Sequence, residues 1–326
     1  MERTVFGFTN ELYFFPLFFF SLEGFQIKDS LPEGSKAKPE IWEDFAEFEK
    51  RQQTLIAATQ ALSEEGAMAD LEGSDLMVVA GTNAPVAFFA YPEKPSLLVP
   101  EGCELLKLGD AGTDSAGTLA ALADALGAKD AAPAEVLKQP DCPSGDLTAQ
   151  SVGQSLARHM PENALVSDDG VSNGLLSYLP TMPAQPHDWM MLTGGAIGQG
   201  MPLALGAAIA APDRKVICLS GDGAGMYTNQ ALWSMAREGA DVTTIVFVNH
   251  SYRILNIELY RTGAGNPGPT AKDMLSIGGP DIDWVQLSTS LGVPAVEATT
   301  AEAFDAALAE SIAAPGPRLI AAVVPG

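Results

Sequence analysis

"SGDGAGMYTNQALWSMAREGADVTTIVFVNHSY" (Ser220–Tyr252) is the stretch that decides how this chain folds. It ends one apolar run, RKVICLS, with a carboxylate set between two glycines. A helical stretch of about 14 residues follows, with Gly239 past its end, and travels back about 21 Å. The next apolar run, VTTIVFV, is β-branched and aromatic, returns about 22 Å, and is closed by Asn249. A right-handed crossover makes the two strands parallel. Asp222 and Asn249 then emerge at the same sheet edge, the one at which open α/β sheets bind ligands. Gly221 and Gly223 let the backbone turn tightly and approach a ligand closely. A helix opening near Ala224 points free N–H groups at the same spot, ready for an anion.

The same alternation extends in both directions. LTAQSVGQSLARHM reads as a helix, ALVSDDG as a strand entering an acidic turn, and IGQGMPLALGAAIAA as a helix of small residues suited to close packing. Beyond Tyr252, DWVQLSTSLG and TAEAFDAALAESIAA read as helices and PRLIAAVV as a last strand. Alternating elements of this kind predict a doubly wound parallel sheet with helices on both faces. Upstream, DLMVVAGTNAP has the look of a buried parallel strand and turn, SLLVP and CELLKLG read as further strands, and SAGTLAALADALGA as an alanine-rich helix ending at Gly127. KDAAPAEVLKQPDCPSGD is a linker rich in Pro, Asp and Ala. The expected organisation is an unassigned segment over 1–70, a partial α/β domain over 71–130, a linker over 131–144 and the doubly wound domain over 145–326. Within the first segment, the charged stretch reads as a loop and then, from Pro39, as an amphipathic helix (Ile41, Phe45, Phe48).

Composition limits the function. The 326 residues carry 41 acids against 18 bases, a formal charge of −23, with 25 acids and 10 bases before residue 151. A surface of this sign repels phosphate backbones and anionic lipid, which argues against nucleic-acid or membrane partners. Leu12–Leu22 is too short to span a bilayer, and Glu2 and Glu11 beside the single Arg3 are the wrong balance for a signal peptide. Cys103, Cys142 and Cys218 lie far apart and cannot all pair. A reducing compartment follows, the cytoplasm first and an organelle second. His159, His187 and His250 are equally scattered, so a zinc site is not expected.

Alone, Asp222 reads as a turn residue and Asn249 as a helix cap. Together, on adjacent strand ends, they offer a charged and a neutral oxygen beside an anion-binding helix start. A hard cation shared with a phosphorylated ligand satisfies both, and Mg²⁺ behaves in this way.

A G-D-G triplet followed 27 residues beyond its aspartate by Asn resembles the cofactor motif of the thiamin diphosphate-dependent enzymes. The family's usual ending is N-N; here it is VNHSY, so Val248 holds the first asparagine position and Asn249 the second, the metal-binding one. The resemblance implies Mg²⁺ ligands from Asp222, Asn249 and the Ser251 carbonyl, and diphosphate contacts from the N–H groups of Gly223 and Ala224 and from Tyr252. Thr193–Gly223 resembles the segment that cradles the pyrimidine end of thiamin diphosphate. Ile197 holds the place of the bulky apolar side chain that bends the cofactor, and the Gly195 carbonyl and Ile197 N–H would meet the aminopyrimidine. Without that context Ile197 reads equally as a core residue. SDDGVSNG resembles the loop touching the diphosphate, through Ser172. The layout is similar to the acetolactate synthase large subunit and its benzoylformate decarboxylase-like relatives, and SDLMVVAGTNAPVAFFAYPEKPSLLVPEGCELLKLG to the end of their central domain.

The resemblance has no counterpart here for the family's N-terminal pyrimidine domain, whose glutamate activates the cofactor. Glu64 and Glu65 stand in no comparable setting, and no catalytic acid or base is assigned. The expected activity is decarboxylation or carboligation of a 2-oxo acid such as pyruvate, with a homo-oligomer or a partner supplying the pyrimidine domain in trans. The alternatives are a non-catalytic thiamin diphosphate-binding module and another phosphate-binding α/β protein. GAGNPG (Gly263–Gly268) spells a dinucleotide motif, but no buried strand precedes it, and Pro267 and Pro269 are expected to oppose a helix there. His250 reads as a loop histidine rather than a substrate contact, and Trp189, Trp233 and Trp284 as core or interface residues.

Overall fold

The computed structural model describes residues 4–8, 68, 71–80, 83–87, 93–108, 112–125 and 138–325. Readings made on Leu12–Leu22, on the helix from Pro39 and on Glu64 and Glu65 lie outside the described residues. The chain divides into two compact units, Met1–Val136 and Leu137–Gly326.

The first unit holds a three-stranded parallel sheet in the order β1-β2-β3, made of Thr4–Phe8 (β1), Leu76–Ala80 (β2) and Glu104–Lys107 (β3), followed by helix α1 (Ser115–Ala125). Leu71, Met77, Val79 and Leu98 form its buried cluster. SLLVP is no strand. Hemmed in by Pro95 and Pro100, it reaches only an isolated antiparallel bridge between Val86 and Leu97.

The second unit is a six-stranded, wholly parallel sheet in the order β5-β4-β6-β7-β9-β8. In chain order its elements are α2 (Ala149–His159), β4 (Leu165–Asp169), α3 (Ser172–Tyr178), β5 (Asp188–Met190), α4 (Gly200–Ala210) and β6 (Val216–Gly221). There follow α5 (Asp222–Thr228), α6 (Ala231–Glu238), β7 (Val242–Val248), α7 (Arg253–Arg261) and α8 (Pro269–Met274). The unit closes with α9 (Trp284–Ser290), β8 (Ala295–Ala298), α10 (Ala301–Ala313) and β9 (Arg318–Val323).

Strand periodicity of two divides the central strands between two cores. Val166, Ile217, Leu219, Ile245, Phe247 and Ile320 face α2 and α10 through Val152, Leu156, Phe304 and Leu308. Leu165, Val216, Cys218, Val246, Val248 and Leu319 face the other way, onto Met201 and Ala204 of α4, Leu232 and Met235 of α6 and Trp284 of α9. Both faces are covered, which is why these strands are apolar throughout instead of alternating. The sheet is doubly wound.

Several boundaries depart from the sequence reading. The helix after β6 begins at Asp222 rather than near Ala224, and it is two helices. At Asn229 and Gln230 the ladder tightens to three-residue spacing, with Leu232 N–H to Asn229 O at 3.0 Å and Trp233 N–H to Gln230 O at 3.2 Å. The acidic "turn" of ALVSDDG is buried strand, with Asp168 and Asp169 only 4% and 1% exposed. A helix does open at Pro269, because proline at the first helical position loses no hydrogen bond and Gly268 is the cap. GAGNPG still follows a helix, α7, rather than a buried strand. Of the tryptophans, Trp284 is core, Trp189 is half-buried against Asp168, and Trp233 is half-exposed beneath the Arg237 guanidinium.

Helix α2 starts where Thr148 and Ser151 cap each other, Ser151 N–H to Thr148 Oγ1 at 3.1 Å and Thr148 N–H to Ser151 Oγ at 2.8 Å. It packs so closely on α3 at Gly153 that an added Cβ would overlap the backbone carbonyl of Ser177. Gly153→Ala should therefore destabilise the chain by about 1–3 kcal/mol despite alanine's better helix propensity. Urea unfolding of the two proteins measures it; a stabilised variant would refute the close approach.

Candidate functional site

The strand order creates one crevice. The chain leaves β4 toward β5 on one side and leaves β6 toward β7 on the other. The C-terminal ends of β4 and β6 thus form a topological switch point, the place where such sheets bind ligands. Residues 170–173 form one lip and 221–224 the other, with the 249–253 segment beside the second.

Asp222 is 3% exposed and organises its lip. Its Oδ2 accepts the N–H groups of Asn249 at 3.1 Å and His250 at 2.7 Å, and its Oδ1 accepts that of Gly223 at 2.9 Å. Asp222 and Asn249 are therefore immediate neighbours. Burial pushes the Asp222 carboxyl above the ordinary range, against the lowering effect of these three N–H groups. Asn249 is also buried, and its Oδ1 accepts the Ser251 N–H at 3.0 Å. His250 takes a positive φ of 52°, a left-handed turn between Asn249 and Ser251. The His250 side chain lies outside the cluster, 3.6 Å from Asp281. Ser251 pairs with Ser276 in an isolated bridge whose hydrogen bonds run through its neighbours, Tyr252 N–H to Leu275 O and Ile277 N–H to His250 O. That leaves the Ser251 carbonyl with no hydrogen bond among the described residues. The Tyr252 ring lies on Gly223, where an added Cβ would come within 2.8 Å of its Cε1. Ala224, in the first helical turn, has no acceptor within its helix.

The other lip uses a second buried carboxylate, which sequence reasoning missed. Asp169 Oδ2 accepts the N–H of Gly198 at 2.8 Å and of Gly200 at 3.2 Å, and its Oδ1 is buried without a partner among the described residues. Thr228 Oγ1 of α5 donates to the Gly198 carbonyl at 2.6 Å. The loop before α4 is thus pinned between the end of β4 and α5. Gly198 itself sits at φ 98°, and a Cβ there would meet Tyr227 at 2.6 Å. The loop presents Ile197, 43% exposed, so Ile197 is no core residue. The Gly195 carbonyl and Ile197 N–H bond to each other at 2.8 Å, around Ala196 in an inverse γ-turn. Ser172 is half-buried at the start of α3. Asp168 accepts from Gly170 N–H at 2.9 Å and Trp189 Nε1 at 3.2 Å. Burial pushes Asp168 and Asp169 each up to about 6, and burial first, then these two carboxylates, pushes the Cys218 thiol up. The signal for them was present: two adjacent acids ending an apolar run.

Chemically the second lip is an oxygen-only donor set, comprising one carboxylate, one side-chain amide and one free backbone carbonyl. Three such donors fit a hard, six-coordinate cation and leave positions for ligand oxygens, unlike a site closed by protein ligands. Among the described residues no three His, Cys, Asp or Glu side chains come together. No helix there is long and apolar enough to cross a membrane.

Comparison with known proteins defines the class. Residues 170–322 match the family model "Thiamine pyrophosphate enzyme, C-terminal TPP binding domain". This part of the chain belongs to that family of thiamine pyrophosphate-binding domains. The chain is 50% identical over 262 residues to the "Putative acetolactate synthase large subunit IlvX" of Mycobacterium tuberculosis, covering 80% of this chain and 51% of that protein. It is 30% identical over 267 residues to benzoylformate decarboxylase of Pseudomonas aeruginosa, covering 77% of this chain and 48% of that one. Among solved structures, the thiamine diphosphate-dependent 4-hydroxybenzoylformate decarboxylase of Rhodococcus jostii RHA1 superposes with a TM-score of 0.65 at 26% identity, over 79% of this chain and 50% of that one. The chain thus spans about half the length of the relatives it matches.

The acidic lip has a pH signature. An aspartate near 3.8 when unfolded and near 6 when folded binds its proton more tightly in the folded state. Its contribution is fully present below about pH 4 and is lost as pH rises through 6, at most about 3 kcal/mol. Asp169→Asn keeps an acceptor for Gly198 and Gly200 but cannot ionise. Its stability relative to the parent should therefore rise between pH 4.5 and 7.5 in urea titrations. A difference independent of pH would show that Asp169 is ionised throughout.

Proposed function

We propose that this chain holds thiamin diphosphate with Mg²⁺ in the β4/β6 crevice, and serves decarboxylation or carboligation of a 2-oxo acid such as pyruvate, in the manner of acetolactate synthase. The observation that carries the reading is the direct contact between Asp222 and the Asn249–His250 backbone. It brings the Asn249 backbone against the carboxylate, and the Asn249 amide oxygen in turn holds the Ser251 N–H. The names of the relatives, acetolactate synthase and benzoylformate decarboxylase, support the substrate class.

Each residue has a stated task. Asp222, Asn249 and Ser251 would hold the metal, with Asp222 cancelling half its charge. The first turn of α5 would meet the diphosphate through Gly223 and Ala224, and Ser172 and Tyr252 would border it. The Gly223 N–H must exchange its bond to Asp222 for one to the ligand. Ile197 would support the ring system from the pinned loop, and the Gly195 carbonyl and Ile197 N–H would give up their mutual bond to meet the aminopyrimidine. The bound cofactor supplies an electron sink for carbanion chemistry. This chain's residues would supply position and charge complementarity. No residue described here is assigned as catalytic acid or base, and a pyrimidine domain acting in trans, from another copy or a partner, would complete the site. On this reading residues 71–130 are a partial central domain, 131–144 a linker and 145–326 the cofactor domain.

Calorimetric titration with thiamin diphosphate tests the reading. Uptake should require Mg²⁺ and weaken as pH falls, since protonation of Asp222 competes with the metal. Asp222→Ala and Asn249→Ala should each lower affinity about 100-fold or more. Undiminished, magnesium-dependent uptake by Asp222→Ala would refute the reading. Pyruvate consumption with and without a pyrimidine-domain protein then separates an enzyme from a binding module.

A further inference from the structure

The arginines of the described residues follow a pattern with one exception. Arg158 faces Asp305, Arg214 faces Asp188, Arg237 faces Glu238, Arg261 faces Glu258 and Arg318 faces Glu310, each within 4 Å. In a chain with 41 acids and 18 bases, such pairing is what the composition favours. Arg253 alone has no carboxylate partner among the described residues. Its guanidinium instead donates, through Nη1, to the neutral Oδ1 of Asn173 at 3.2 Å.

The location gives that exception meaning. Arg253 opens α7, directly after the Asn249–Tyr252 segment, while Asn173 is the second residue of α3 and is 2% exposed. The contact therefore spans from the end of β7 to the lip that follows β4. Residues 170–173, 193–199, 221–224 and 249–253 contain no other lysine or arginine. The side chain is half-buried and one of its five N–H donors is accounted for. A guanidinium that is neither paired nor fully solvated is poised to accept a bidentate anion, and its planar fork suits carboxylate and phosphate alike.

We propose that Arg253, oriented by Asn173, is the anion-recognition residue of the β4/β6 crevice and binds two oxygens of a ligand carboxylate or phosphate there. The inference rests on the crevice being a ligand site, as in the reading above, and assigns it a specificity determinant. The two sources are the carboxylate of a 2-oxo acid and the diphosphate of the cofactor.

Phenylglyoxal labelling of the full chain, read by peptide mass spectrometry, tests it. Arg253 should be labelled, as should Arg237, an exposed residue outside the crevice that serves as the control. Four probes are added separately: thiamin diphosphate with Mg²⁺, inorganic pyrophosphate, pyruvate, and the uncharged methyl pyruvate. Protection of Arg253 but not Arg237 by either phosphate probe supports the proposal and assigns the diphosphate. Protection by pyruvate and not by methyl pyruvate supports it and assigns the carboxylate. Protection by none, or equal protection by methyl pyruvate, overturns it. Arg253→Gln should weaken the protecting anion's calorimetric affinity about ten-fold or more, with Arg253→Lys between the two and thermal unfolding unchanged in both. Unchanged affinity in Arg253→Gln overturns the proposal as well. A chain that protects Arg253 with pyrophosphate or pyruvate yet takes up no thiamin diphosphate would refute the proposed function and leave this inference standing.

Discussion

Two N–H groups at the end of β7 converge on one oxygen of a carboxylate at the end of β6, and most of the site follows from that contact. Asp222 is almost wholly buried, so its charge must be met by fixed donors. Asn249, His250 and Gly223 meet it with three N–H groups, and in doing so lock the exit of β7 to the start of α5. His250, the second of the two donors, carries a positive φ, a strained backbone angle at the exit of β7. Burial still outweighs the donors, because the carboxyl remains above its ordinary range. The uncompensated part of that charge is what a divalent cation would neutralise.

The opposite lip repeats the device with different geometry. Asp169 ties down a glycine loop that returns 29 and 31 positions later, and Thr228 holds the same loop from α5. Without these bonds a stretch with three glycines at positive φ, Gly194, Gly195 and Gly198, would carry Ile197 on a slack chain. Exposing an isoleucine costs transfer free energy, so its place on a pinned loop beside the crevice accords with a surface that another apolar group covers.

The parts of this arrangement legible in the sequence were those encoded by residue type at fixed spacing. Uninterrupted apolar runs separated by helix-length segments gave the parallel sheet, because strands covered on both faces need no polar positions. Gly-Asp-Gly and the later Asn gave the lip around Asp222, since only the intervening crossover was needed to bring them together. The Asp169 clasp depended on the return of a distant loop, so SDDG looked like any acidic turn. The edge strands β5 and β8 stayed hidden because three or four residues, half exposed, carry little pattern. The break at Asn229 and Gln230 was invisible because both residues keep right-handed helical angles. The mutual bond of Gly195 and Ile197 is a matter of backbone angles at Ala196, which no residue type there dictates.

Electrostatics then constrain what can enter. Asp168, Asp169 and Asp222 are all buried at the C-terminal ends of β4 and β6, against one unpaired guanidinium. A free diphosphate approaching three buried carboxylates meets net repulsion, screened less than between exposed charges. On the proposed reading a bare divalent cation would be attracted but would find only three protein oxygens, too few to replace its hydration shell. The metal and the diphosphate together satisfy both conditions. The cation would offset the carboxylates, and the phosphate oxygens would complete its shell and meet the first turn of α5. On the proposed reading the crevice thus selects the metal–diphosphate pair over either component. The selection comes from the excess of buried negative charge, the same excess that makes these carboxylates costly to fold around.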